Sequence, residues 1–356
     1  MSSLIRSFLA LALLALSATA PAFARTVTDS AGRTVTLPDR IARVMAAGPP
    51  ASAVVYCLLP EAMVGWQRAP RKEELPYLLS STHNLPELGR LTGRGDTANV
   101  EVVLKANPDL IVDFGSVRPT FISLAEATQQ RTGIPYVLVD GRFEATPASL
   151  RLLGSILGVP ERGDTLAKYA EDLFQRIGAL AAAIPEEKRP GVYLARGAKG
   201  LETGLRGSIN TEIIERAGGR NVAVSDDRRQ GIANVSPEQI LLWAPEVVVT
   251  WDRNFFDTLT KSPDATWESV PAVRNKRVYL APTAPFGWID GPPSVNRLIG
   301  LAWLAHILHG ERFPFDIRQE TRKFYKLFYQ VDLTDADLET LIAWADGQPP
   351  TTLRQR

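Results

Sequence analysis

The chain states one pattern twice. Residues 99–112 read NVEVVLKANPDLIV and residues 236–249 read SPEQILLWAPEVVV. In each copy a glutamate (Glu101, Glu238) stands seven residues before a proline (Pro108, Pro245), an acidic residue (Asp109, Glu246) follows, and an apolar run closes the unit. Such a unit reads as a short amphipathic helix, a proline stop, and a buried strand of a parallel sheet. Two copies whose glutamates lie 137 residues apart predict two similar α/β lobes. Two lobes imply a cleft, and a cleft is where a ligand would sit.

The first residues, MSSLIRSFLALALLALSATAPAFA, carry a basic Arg6, an apolar stretch Phe8–Leu16 too short to span a membrane, and the small-x-small trio Ala22-Phe23-Ala24. They read as a secretory signal cut after Ala24. No cysteine follows that site to anchor a lipid, so a soluble periplasmic protein is expected. Forty Lys and Arg balance 39 Asp and Glu, which argues against nucleic acid or an anionic membrane as partner. Cys57, the single cysteine, can form no intrachain disulfide and sits in an apolar run as a core thiol.

The expected organisation is a signal peptide at 1–24, an N-terminal lobe at 25–140, a connecting segment at 141–187, a C-terminal lobe at 188–310 and a helical tail at 311–356. Residues 26–37 alternate as a hairpin around Ala31-Gly32. Strands follow at 43–47, 64–66, 110–114 and 135–139, interleaved with helices at 51–59, 99–106 and 119–132, the alternation of a parallel sheet. In the connecting segment Leu166, Ala170, Leu173, Ile177, Leu180 and Ile184 recur at helical spacing, one amphipathic helix over about 164–184 with Gly163-Asp164 as its cap. At about 1.5 Å per residue it would run roughly 30 Å between the lobes. The second lobe repeats the series with strands at 191–195, 247–249 and 277–280, a helix at 211–217, and a helix from Val295 capped by Ser294. In the tail, Thr334 and Asp337 stand at capping-box spacing.

Catalytic signatures are missing: no G-x-S-x-G elbow, HExxH, P-loop or CxxC occurs. Arg94-Gly95-Asp96 is a three-residue match without weight. Of three histidines, His306 and His309 suit a helix end, and His83, in a loop, is the candidate metal ligand. Tyr325 and Tyr329 read as packing residues. In an open α/β sheet, ligands bind at the carboxyl ends of the strands. Those loops hold Gly48 and Pro49, Trp66 with Arg68, Ser116 with Arg118, Arg196 with Lys199, Trp251 with Arg253, and Phe286 with Trp288. Guanidinium groups among aromatic faces suit a flat or aromatic anion.

Taken with the signal peptide and the long helix, the segments DSAGRTVTLPDRIARV, PELGRLTGRGDTANVEVVLKANPDLIV, AGGRNVA and VSPEQILLWAPEVVV resemble the periplasmic substrate-binding proteins of ABC importers for iron–siderophore, haem, cobalamin and related metal-chelate ligands. The resemblance covers nearly all of residues 26–310, and the loop PFGWIDGPPSVNRLIGLAWLAHIL resembles an iron or metal-complex subgroup. It implies two lobes on one rigid helix, limited closure, no catalysis, no cofactor of the protein's own, and an iron–siderophore or similar chelate as ligand. It also implies a monomer working with an inner-membrane permease, whose arginines would receive Glu101 and Glu238. Other metal complexes and oxyanions (cobalamin, haem, a nickel chelate, molybdate), a periplasmic hydrolase and a bare-metal receptor are the competing readings.

Overall fold

The structure, a computed structural model, describes residues 25–93, 98–225, 231–313 and 316–342. The signal segment and the Arg94-Gly95-Asp96 tripeptide lie outside these residues. The first lobe opens with an antiparallel hairpin of β1 (Arg25–Thr28) and β2 (Thr34–Leu37), turning at Gly32 with φ +77°. The buried Asp29 carboxylate holds the turn through the Ala31 and Arg33 amides and fastens it to the sheet through the Leu138 amide. Strands β3 (Val44–Ala46), β4 (Leu110–Gly115) and β5 (Tyr136–Asp140) form a parallel sheet in the order β3-β4-β5. Helices α1 (Pro49–Leu58), α2 (Val100–Ala106) and α3 (Pro119–Thr132) flank it. The strand expected at 64–66 reduces to single pairings, Met63 with Val44 and Trp66 with Glu87. Between them, Gly65 is pressed so closely on Leu88 and Pro86 that a Cβ would lie 2.6 Å from both.

The chain then makes a helical hairpin of α4 (Thr146–Ile156), which periodicity did not separate, and α5 (Pro160–Ala182). The long helix starts four residues earlier than expected, with Pro160 in its first turn. Gly163 is therefore no cap. A Cβ there would lie 2.7 Å from the Leu150 carbonyl and 3.0 Å from Gly154 Cα, so Gly163 and Gly154 mark where two backbones cross. Asp164 pairs with Arg151 and Lys168. Leu166, Ala170, Leu173 and Ile177 form the buried stripe.

The second lobe carries β6 (Gly191–Ala195), β7 (Glu202–Gly204), α6 (Glu212–Arg216), β8 (Arg220–Asn221), β9 (Ile232–Asn234), α7 (Pro237–Trp243) and β10 (Val247–Thr250). Three short helices, α8 (Arg253–Lys261), α9 (Ala265–Glu268) and α10 (Pro271–Arg274), lead to β11 (Val278–Leu280). Its parallel sheet runs β11-β10-β6-β8, with a small antiparallel β7–β9 pair beside it. Helix α11 (Arg297–His309) begins two residues later than expected, because Ser294 spends its hydroxyl on the Pro50 carbonyl at 2.7 Å. The tail adds α12 (Ile317–Phe324), a π-helical turn at Tyr325–Tyr329 and α13 (Asp335–Ile342), the last opened by a Thr334–Asp337 capping box.

The two repeats are alike to the level of single bonds. Helices α2 and α7 are capped by Asn99 and Ser236, whose side chains accept the Val102 and Gln239 amides. Both end on a left-handed residue at φ 44°, ψ 58°, Asn107 in one and Ala244 in the other. After the prolines, Asp109 accepts the Ala42 and Arg43 amides and Glu246 accepts the Gly191 amide. Each acid thus satisfies the open start of the neighbouring parallel strand, which explains why an acidic residue recurs there.

The lobes share one core. It runs from β3, β4 and α1 through α5 and α11 to β6, β10 and the tail. Tyr56 Oη donates to the Tyr329 carbonyl at 3.0 Å and Arg162 to the Leu327 carbonyl at 3.2 Å. The long helix is therefore not the sole tie between the lobes, and the tail is a second one.

Candidate functional site

The carboxyl ends of both parallel sheets carry the loops in which the sequence placed the site, but the side chains there fall into different groups. Trp251 and Arg253, directly after β10, wall a pocket of about 330 Å³ with Tyr77, Glu73, Pro282 and Leu341. The pocket draws on the first lobe, the second lobe and α13. Arg253 opens α8 behind the Asp252 cap and lies 3.9 Å from Asp257. On the first lobe, Arg118 is exposed, caps α3, and donates to Ser116 Oγ at 3.1 Å. No acidic residue lies within ion-pairing distance of Arg118 among the described residues.

Gly48 caps α1 ahead of Pro49, and its hydrogen is required. A Cβ would lie 2.5 Å from Thr92 Oγ1. Thr92 in turn donates to the buried Asp113 at 3.3 Å, as Tyr136 Oη does at 3.2 Å. Burial raises the Asp113 carboxyl to about 6 despite those bonds.

Several expected contacts are corrected by their surroundings. Trp288 is fully buried, donating its indole N–H to Tyr325 Oη at 3.2 Å. Its carbonyl is crowded by α11, where a Cβ on Gly300 would sit 1.7 Å away. Trp66 is buried as well, donating to the Thr82 carbonyl at 2.8 Å and packing on Tyr56 and Phe286. Phe286 belongs to the same aromatic nest, 5.6 Å from Tyr329. Both tryptophans present no face to a solute. Arg68 and Arg71 are both bound to the Glu74 carboxylate, at 2.7 and 2.8 Å. Burial would raise Glu74, but the two guanidinium partners outweigh it and lower its pKa.

Arg196 stacks over Trp251 at 5.1 Å, pairs with Glu202 at 2.9 Å, and also pairs with the buried Asp290. Asn210 and the Gly291 amide complete the hydrogen bonds of Asp290. With two carboxylates on one guanidinium, this wall has no spare positive charge to offer an anion. His83 places Nε2 3.0 Å from the Leu78 carbonyl. No group of three or more His, Cys, Asp or Glu that could hold a metal occurs among the described residues, so nothing gathers around His83. His309 likewise faces the Ala217 carbonyl at 2.8 Å. Tyr325 and Tyr329 are packed edge to face at 4.9 Å, as expected of core residues, and the Cys57 thiol is buried and pushed up in pKa.

Sequence reasoning missed Asp290, inside a segment read only as a loop, Asn210, just ahead of the helix expected at 211–217, and Tyr77, in a polar stretch without periodicity. It also missed Arg297. This guanidinium is fully buried, stacks 4.8 Å over Phe143, and donates to the Gly141 carbonyl of one lobe at 3.0 Å and the Ile209 carbonyl of the other. Glu101 and Glu238 are both exposed in the first turns of α2 and α7.

Two lobes with parallel sheets, a shared helical spine and a pocket bounded by both define a bilobal α/β protein with room for a small solute. Residues 59–285 match the family model described as periplasmic binding protein, and the chain belongs to that family. Its members serve ABC importers, delivering small ligands to an inner-membrane permease. An ABC transporter solute binding protein from Sulfurospirillum deleyianum has the same fold with a TM-score of 0.82 and 31% identity, covering 90% of this chain and 99% of its own. The molybdate-binding protein MolA of Haemophilus influenzae is 26% identical, over 86% of this chain and 91% of its own. A cobalamin-binding protein of Halobacterium salinarum is 27% identical, over 72% of this chain and 66% of its own.

Proposed function

We propose that the chain is exported to the periplasm, where it captures a compact anionic metal chelate, an iron–siderophore complex or a similar one, for an ABC permease. The pocket of about 330 Å³ carries this reading. It lies at the small end of the range for small-molecule sites, and its aromatic faces beside one cation suit a compact anion better than a corrinoid. Trp251 and Tyr77 offer flat faces and Arg253 offers charge, while Gly48, Pro49, Ser116 and Arg118 follow β3 and β4, outside the residues that line this pocket. Glu101 and Glu238, one per lobe, would grip permease arginines.

Ligand-stripped protein should bind a ferric catecholate or ferric citrate in titration calorimetry and reject cyanocobalamin. Tight cyanocobalamin binding, or no response to any ferric chelate, overturns the chelate reading. Molybdate is the second reading, favoured by the similarity to MolA along most of the chain. Molybdate binding without chelate binding would select it. Protein recovered from the periplasm should begin at Arg25.

A further inference from the structure

Few large hydrophobic side chains stand exposed among the described residues. They are Leu104 at 51%, Val224 at 44%, Leu241 at 41% and Leu242 at 77%. Three of these four lie on α2 and α7, the helices that also carry Glu101 and Glu238. Single exposed leucines are ordinary on protein surfaces. What sets these apart is their place in the repeat.

Superposing the two units in sequence pairs Glu101 with Glu238, Val103 with Ile240, and Leu104 with Leu241. Val103 and Ile240 are fully buried, so their persistence is explained by packing. Leu104 and Leu241 point outward, as the glutamates do, and packing asks nothing of them. The neighbouring positions have diverged, Val102 against Gln239 and Lys105 against Leu242. Each leucine follows its glutamate by three residues, so the two share one face of a two-turn helix. Neither glutamate forms an ion pair among the described residues.

We infer that Glu101 with Leu104, and Glu238 with Leu241 and Leu242, are two equivalent docking patches, each combining one acid and an apolar contact. The partner is the permease of the importer, contacted through a basic residue beside an apolar one on each of its two halves. This rests on the docking reading above and adds its apolar component. The acids steer and are screened by salt, whereas the leucines hold at any ionic strength. The second patch, with two leucines, is the stronger anchor. Burying one such side chain is worth about tenfold or more in affinity.

The test uses the full protein, fluorescently labelled, binding to right-side-out inner-membrane vesicles of the producing bacterium at 0.05 and 0.5 M NaCl. Leu241→Ser with Leu242→Ser should weaken binding about tenfold or more at both salt concentrations, and Leu104→Ser should weaken it less. Glu101→Gln with Glu238→Gln should weaken binding mainly at low salt. The leucine variants should keep the wild-type melting temperature and ferric citrate titration, since the side chains are exposed and outside the pocket. A photoreactive benzoylphenylalanine at position 242 should cross-link in cells to a multispanning permease subunit. If the glutamate variants lose binding and the leucine variants do not, the apolar contact is refuted while docking stands. If neither set changes binding, docking through these helices is refuted altogether, and a cross-link to a soluble protein or a second copy of this chain refutes the partner.

Discussion

Replacing Arg297 with methionine tests whether the lobes are pinned to each other through a buried charge. The side chain is fully buried and donates to three carbonyls, those of Gly141, Ile209 and Ser294, with Glu212 3.7 Å away. Burial lowers its pKa from 12.5 to about 10, chiefly through desolvation. That fall corresponds to about 3 kcal/mol by which folding disfavours the charged form. Methionine regains this but leaves the Gly141 and Ile209 carbonyls without a donor, at about 1–3 kcal/mol each, while the Ser294 carbonyl keeps the backbone N–H of residue 297. It also removes the cation stacked on Phe143. The balance is a loss of about 1–4 kcal/mol, on the scale of breaking a buried charged network. Urea unfolding followed by circular dichroism should show a lower midpoint. Arg297→Lys should not restore it, because a point charge on one stem cannot reach carbonyls on both lobes. A methionine variant within about 1 kcal/mol of wild type would refute the idea that these bonds outweigh the desolvation of the guanidinium.

Four further outcomes follow from the geometry. Arg253→Ala should weaken an anionic chelate by about 1.5–3 kcal/mol in calorimetry, whereas Arg196→Ala should lower the urea midpoint instead, because it leaves Asp290 buried without its counter-charge. Tryptophan emission should respond to ligand through Trp251 alone, so Trp251→Phe should abolish the response while Trp66 and Trp288, both buried, continue to emit unchanged. Asp113, raised from 3.8 to about 6 by burial, favours folding while protonated; its contribution is full below the unfolded value and is lost as pH rises through 6. Relative to Asp113→Asn, wild-type stability should therefore fall by about 2 kcal/mol between pH 4 and pH 7, and parallel curves would contradict the assignment. Gly163→Val should lower the melting temperature by the cost of overpacking, about 1–3 kcal/mol, since the groups it meets are backbone atoms of α4.

The repeat was the most legible part of the sequence because its signal is local. Proline stops, acid caps and apolar runs at 99–112 and 236–249 each act within a dozen residues, and the structure reproduces them to the same left-handed cap. The long helix was legible through its stripe but not at its start. Gly163-Asp164 has the composition of a cap, and the contact that decides its role, with Gly154, comes from another helix. The site was least legible for a related reason. An arginine in a loop reads as available charge, and only tertiary structure brings Glu202 and Asp290 to Arg196, or Glu74 to Arg68. Trp288 was misplaced because nothing in the loop's composition reveals that α11 passes over it at Gly300. Arg297 was missed because a lone arginine in an apolar helix resembles a snorkelling surface residue.

The same tertiary contacts bear on how a ligand could be held. Rotating the first lobe away from the second lobe and the tail together would break the bonds from Tyr56 to Tyr329, Ser294 to Pro50 and Arg297 to Gly141. At about 1 kcal/mol each, more for the charged donor, this amounts to about 3–5 kcal/mol before any apolar area is exposed. A ligand can move such an equilibrium only by its differential affinity for the two states. The outer wall of the pocket also belongs to neither lobe. Leu341 and Thr340 stand on α13, which is tied to α12 by the Arg318–Glu339 and Arg322–Asp335 pairs, and α12 packs into the shared core through Phe324. A wall fixed to the shared core in this way favours fit to a preformed pocket over closure around the solute.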